Sequence, residues 1–184
     1  MTISLILYFI FCFILIVVLG VWIGSQPIGL IRAGGVPYVP LRKKQLESIV
    51  SHIRLKVTDN FVDLGSGDGR VLRIFEKQGV KNLSGYEVNY WAYLSSLVKN
   101  KFYHSKAKIY FKNFKKINLS EYNVVFCYLL EEYLRTLKEK FDKELKPGTK
   151  IISYGFEIKN WRPAKIIYTN KEKKNLGRIF IYTI

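Results

Sequence analysis

Asn60-Phe61-Val62-Asp63-Leu64-Gly65-Ser66-Gly67-Asp68-Gly69-Arg70 is the stretch that decides the fold. Phe61 to Leu64 are rich in strand formers and predict a buried strand. The three glycines that follow at alternate positions carry no Cβ, so backbone N–H groups can come close to a ligand. Val71, Leu72, Ile74 and Phe75 have helical spacing, and Gly79 is placed to stop that helix. Strand, glycine turn and helix in this order make the nucleotide-binding corner of a Rossmann-like sheet.

The acids around the turn choose among nucleotides. Asp63 and Asp68 flank the place where a dinucleotide fold holds a pyrophosphate, which two carboxylates would repel. An ammonium, a sulfonium and a single carboxylate suit them better, the carboxylate lying at the helix N-terminus. Glu87 ends the next expected strand, Leu83 to Glu87, about 20 residues on, where an acid commonly grips ribose hydroxyls. The spacing is Gly-x-Gly-x-Gly, not the Gly-x-Gly-x-x-Gly of the NAD fingerprint. These features describe S-adenosyl-L-methionine, with Asp63, Gly65, Ser66, Gly67, Asp68, Gly69 and Glu87 as its binding residues.

Asp63-Leu-Gly-Ser-Gly-Asp-Gly69 with Glu87 resembles motif I and the following acidic motif of class I S-adenosylmethionine-dependent methyltransferases. Val36-Pro-Tyr-Val-Pro40, Gly85-Tyr-Glu-Val-Asn89 and Trp91 narrow the resemblance. Leu145-Lys-Pro-Gly148 and Phe156 with Trp161-Arg-Pro163 narrow it further, to the membrane-anchored lysine N-methyltransferases of the mitochondrial ATP synthase and of adenine nucleotide translocase. The resemblance implies a three-layer α/β sandwich with a seven-stranded sheet, and a protein-lysine acceptor at a membrane. It also implies a lid over the cofactor from Tyr38. In class I enzymes an acid just past the third strand often meets the adenine amino group; here Asn113 stands there. An amide oxygen can accept the same bond, and Phe114 can pack on the adenine or in the core.

Ile3 to Gly24 contains no charged side chain. At about 1.5 Å per residue such a helix crosses the roughly 30 Å hydrocarbon core of a bilayer. The start lacks the basic residues and cleavage site of a signal peptide. The basic residues Arg32, Arg42, Lys43 and Lys44 follow the run, so the N-terminus is expected outside and the rest in the cytoplasm or an organelle's equivalent. Residues 1–24 are therefore read as a membrane anchor, 25–40 as an extended linker and lid, and 41–184 as the catalytic domain.

Lys and Arg number 30 against 14 acids, a formal charge of +16. That suits nucleic acid, an anionic membrane surface or an acidic partner, but the lysines are scattered, which favours a general bias over a nucleic-acid stripe. Cys12 and Cys127 have no metal spacing, and no metal is expected.

Further along, Lys43 to Ile53 and Trp91 to Phe102 predict amphipathic helices and Lys108 to Phe111 a third strand. Asn123 to Leu130 contain a fourth strand and its exit, where Tyr128 is the natural acceptor-side residue. Tyr133 to Leu145 predict a helix, Thr149 to Tyr154 a fifth strand, and Lys165 to Thr169 with Arg178 to Thr183 an antiparallel hairpin joined by Lys171 to Asn175. No Asn/Asp-Pro-Pro-aromatic run follows the fourth strand, which counts against base-amine methylation. A cage of Tyr38, Tyr128 and Trp161 is expected to hold an alkyl ammonium, with Glu157 orienting the amine or taking a proton. The alternatives are methylation of RNA, a lipid or a small metabolite, and a non-catalytic, membrane-tethered module that binds S-adenosyl-L-methionine.

Overall fold

A computed structural model describes residues 2–32, 38–169 and 177–184. It divides into two units, residues 1–37 and 38–184. The first is one helix, α1 (Thr2–Arg32). Within it Ile3–Ile23, with a mean hydropathy of 3.0, is long and apolar enough to cross a membrane. The helix runs on past Gly24, so residues 25–32, expected as extended linker, are helical. Gly34, Gly35 and Pro37 lie outside the described residues.

The second unit begins with α2 (Lys43–His52) and then alternates strand and helix: β1 (Asn60–Leu64), α3 (Arg70–Glu76), β2 (Asn82–Glu87), α4 (Tyr90–Phe102) and β3 (Lys108–Phe111). A short 3-10 turn (Phe114–Lys116) leads to β4 (Val124–Cys127), α5 (Glu131–Glu144), β5 (Lys150–Tyr154), β6 (Lys165–Tyr168) and β7 (Arg178–Thr183). The strands form one seven-stranded sheet in the order β3-β2-β1-β4-β5-β7-β6. Among the described strands only β7 runs against its neighbours, pairing antiparallel with β5 and β6. The expected fold is present, and every strand lies within a residue or so of its expected place. The connection Lys171 to Asn175 lies outside the described residues.

Period-two alternation sorts the side chains. Phe61, Val124, Phe126, Ile152 and Ile179 join Ile49, Leu72 and Phe75 in a core under α2 and α3. Val62, Leu64, Val125, Cys127, Ile151 and Phe180 join Leu134, Leu137 and Phe141 of α5 on the opposite face. Both faces are therefore buried, as a parallel sheet requires. The order reverses between β1 and β4, and such a switch point opens a crevice at the strands' carboxyl ends.

Candidate active site

The crevice is floored by the glycine turn. Gly65 and Ser66 both donate their N–H to the Tyr86 carbonyl, at 2.9 and 3.0 Å, which stitches the exit of β1 to that of β2. Gly67 then donates its N–H to Glu87 Oε2 at 2.7 Å. Glu87 Oε1 accepts from Val88 and Asn89 N–H at 2.8 and 2.6 Å. Burial raises the Glu87 carboxyl above the usual range, and these backbone donors pull the other way.

Two glycines are required by their neighbours. Gly67 sits at φ 56°, and a Cβ there would lie 2.3 Å from Cε2 of Tyr38. Gly69 sits at φ 77°, and a Cβ there would meet Ile109 Cδ1 at 2.5 Å. The left-handed conformation costs other L-residues about 1–2 kcal/mol before any collision is counted. Tyr38 thus lies directly on the glycine turn, where a lid was expected.

Asp63, 2% exposed, is crowded by acids. Burial first, then Glu87, then Asp68, raise its carboxyl well above the ordinary value. Asp68 differs. Burial alone would raise it, but Arg70 and Lys99 outweigh that and hold it far below the usual carboxylate range. Arg70 Nε and Nη2 grip its two oxygens at 2.8 and 2.7 Å, and Lys99 Nζ lies 2.5 Å from Oδ2. Asp68 was expected to face a ligand's cations; the protein's own cations already neutralise it. Arg70 also donates to the Leu41 carbonyl at 2.6 Å, so the same guanidinium pins the segment that carries Tyr38. Tyr38, with Asp68 and Arg70 beside it, has its hydroxyl pushed up to about 12, chiefly by burial.

Arg70 and Lys99, the partners that hold Asp68, are site residues that sequence reasoning missed. Arg70 directly follows the glycine turn and had a local signal. Lys99 is 31 residues from its partner and had none.

Asn113 lies just past β3, its side-chain oxygen accepting the Lys115 N–H at 2.9 Å. Phe114 is 8% exposed and packs in the core beside Tyr86 and Leu64. Tyr128 packs edge-on against Tyr154, centroids 5.5 Å apart, on the α2–α3 face. Trp161 stacks between Phe141 and Tyr182, at 6.4 and 5.5 Å, on the α5 face. Tyr128 and Trp161 thus belong to opposite faces of the sheet, and the expected cage of Tyr38, Tyr128 and Trp161 does not form. Trp161, in the loop after β5, packs against α5, with Lys138 of that helix 5.3 Å from its ring centroid. Glu157 is exposed in the exit loop of β5. Cys127 is buried next to Asp63, and burial raises its thiol far above the range of a nucleophile. Among the described residues no cluster of His, Cys, Asp and Glu could hold a metal.

The β4 exit meets the glycine turn directly. Leu64 pairs with Cys127, and Leu129 Cδ2 lies 3.4 Å from where a Gly65 Cβ would stand. A Rossmann-like sheet with this turn and this acid after β2 has the architecture of a methyltransferase.

Comparison with known proteins narrows the class. The family model of the ANTKMT methyltransferase domain matches residues 63–165, and the chain belongs to that family. A protein-lysine N-methyltransferase of Saccharolobus islandicus is 35% identical over 81% of this chain and 94% of its own. The human ATP synthase c-subunit lysine N-methyltransferase is 31% identical over 71% of this chain. This chain spans only 56% of the human protein's length. An RNA methyltransferase from Salinibacter ruber, solved in complex with S-adenosyl-L-homocysteine, superposes with a TM-score of 0.71 at 25% identity, covering 79% of this chain and 94% of its own.

Proposed function

We propose that the chain transfers a methyl group from S-adenosyl-L-methionine to a lysine side chain of a membrane or membrane-proximal protein. The observation that carries the reading is the contact between the glycine turn and the exit of β4, in a chain whose relatives are lysine N-methyltransferases.

The residues present fit the cofactor. The turn admits no Cβ at Gly67, and Ser66 Oγ, buried within it, has no hydrogen-bond partner. Three acids surround the turn while only Asp68 has cations of its own, so Asp63 and Glu87 suit a cationic, hydroxyl-bearing ligand. The N–H groups of Gly65 and Gly67 are taken by Tyr86 and Glu87, so their carbonyls are left to accept from the cofactor's ammonium, while Glu87 takes the ribose and Asn113 and Phe114 border the adenine. Asp68, with Gly69, keeps the turn in shape through Arg70 and Lys99, and Tyr38 closes over it. The cofactor supplies a methyl already activated by its sulfonium. What remains for the protein is to bring a neutral amine into line with it. Tyr128 borders the acceptor and dries it, which lowers an amine's pKa, and Glu157 takes up the proton that the amine releases.

The apolar helix Ile3–Ile23 is read as a membrane anchor, and Arg32, Arg42, Lys43 and Lys44 after it support a catalytic domain on the cytoplasmic or matrix side. That tether favours acceptors at the bilayer.

The test is transfer from labelled S-adenosyl-L-methionine into membrane extracts, followed by protease or by nuclease. Counts lost to protease support the reading. Counts that survive protease and vanish with nuclease support methylation of RNA, a second reading favoured by the +16 charge and the Salinibacter ruber neighbour.

A further inference from the structure

β4 and β5 are neighbours in register, Cys127 beside Ser153, so their exits form one lip of the crevice. A groove of about 500 Å³ opens along that lip, lined by Leu130, Glu131, Glu132, Arg135, Phe156 and Lys159. Its position follows from Leu129, which touches the glycine turn while the next residue, Leu130, lines the groove. Leu130 is 42% exposed, a large apolar side chain presented to solvent at the mouth. Phe156 gives the opposite wall an apolar side chain too.

The charges of the groove are arranged around one ion pair. Glu131 and Glu132 form the first turn of α5, where the helix dipole favours their ionised forms. Lys159 reaches over from the β5 exit and lies 2.8 Å from Glu131 Oε1. Both side chains face water, at 61% and 43% exposure, so the pair is weak and exchangeable. Arg135 stands one turn along α5 and is the groove's other cation. Arg135 and Lys159 together balance the two acids, so displacing Lys159 leaves the groove net negative.

We propose that this groove receives the acceptor polypeptide, that Glu131 binds a second cation next to the target lysine, and that Lys159 occupies that cation's place until the substrate arrives. The proposal rests on the lysine-methyltransferase reading and deepens it. It makes the preferred substrate a segment with two neighbouring basic residues among apolar ones, the apolar ones lying on Leu130 and Phe156.

The two ends of the ion pair then have opposite effects, which a merely structural bridge would not produce. Full-length protein in detergent micelles, saturated with S-adenosyl-L-homocysteine, is titrated calorimetrically with two synthetic peptides. One carries two neighbouring lysines among leucines and alanines; the other has norleucine in place of one lysine. Wild type, in which Lys159 competes for Glu131, separates the two peptides little, whereas Lys159→Ala binds the first more tightly than the second by about two- to fivefold, the range of an exposed ion pair. Lys159→Ala tightens the first peptide further, Lys159→Gln does the same, and Glu131→Gln brings both peptides to one affinity. Thermal melts confirm that these surface variants fold. Absence of binding, equal affinity of the two peptides for Lys159→Ala, or a shift in the same direction for Glu131→Gln and Lys159→Ala overturns the proposal. A bound peptide that takes no label from S-adenosyl-L-methionine contradicts the lysine reading and leaves the groove standing.

Discussion

Glu87 Oε2 accepts the Gly67 N–H at 2.7 Å, so the acid after β2 holds the glycine turn in place. Its other oxygen accepts two more backbone donors. Glu87→Ala leaves all three N–H groups without their acceptor, at a cost of about 1–3 kcal/mol per buried donor. The predicted result is a lower urea midpoint together with weaker binding of S-adenosyl-L-methionine. Unchanged stability with weakened binding would mean that Glu87 serves the ligand alone.

Gly67 and Tyr38 are predicted to be coupled. Gly67→Ala places a methyl where the Tyr38 ring lies, so it weakens cofactor binding by about tenfold or more, given the added left-handed backbone cost of about 1–2 kcal/mol. Tyr38→Ala is predicted to weaken binding too, because it removes the proposed lid. The double variant loses less than the sum of the two, because the collision is gone. Additive losses in a calorimetric cycle would contradict the packing of Tyr38 on the turn.

Asp63 is predicted to set the pH dependence of cofactor binding. Its raised pKa means that the free enzyme carries a proton there above the ordinary aspartate range. A cation bound beside it favours the carboxylate, so cofactor binding releases that proton and tightens as pH rises through the raised value. Below that value the affinity falls. The same shift makes Asp63 a stabilising group only while protonated, so its contribution to folding is lost as pH rises through the folded-state pKa. Calorimetry in buffers of different ionisation heat reads the released proton directly, and Asp63→Asn removes it. A pH-independent affinity in the native enzyme would contradict the assignment.

Trp161 and Tyr128 are predicted to separate. Trp161→Ala loses stacking on Phe141 and Tyr182 and destabilises by about 1–3 kcal/mol with KM unchanged. Tyr128→Ala lowers kcat by more than it weakens cofactor binding. Urea melts and steady-state kinetics on both variants decide this.

The sheet was legible because each strand announces itself locally. Val124 to Cys127 are a short apolar run, Phe61 to Leu64 are apolar but for Asp63, and the glycine turn follows Leu64 at the required spacing. What was not legible depends on partners distant in sequence. Asp68 looks like a ligand-facing acid until Lys99, on another helix, is seen to hold it. Trp161 looks like a cage wall because it lies near Glu157 in the chain, yet a β-strand neighbour and α5 decide which face it takes. The groove needed the register of β4 and β5, since neither Glu131 nor Lys159 carries a motif. The helical stretch past Gly24 has no local signal, because glycine and proline there are ordinary linker residues.

The central claim is that this methyltransferase acts on lysine. Membranes labelled by the full-length enzyme with methyl-labelled S-adenosyl-L-methionine, then hydrolysed to amino acids and separated, test it most directly. Label is predicted in methylated lysine, and is absent when Gly67→Val replaces the native enzyme. Label confined to nucleosides, lipids or another amino acid would contradict it.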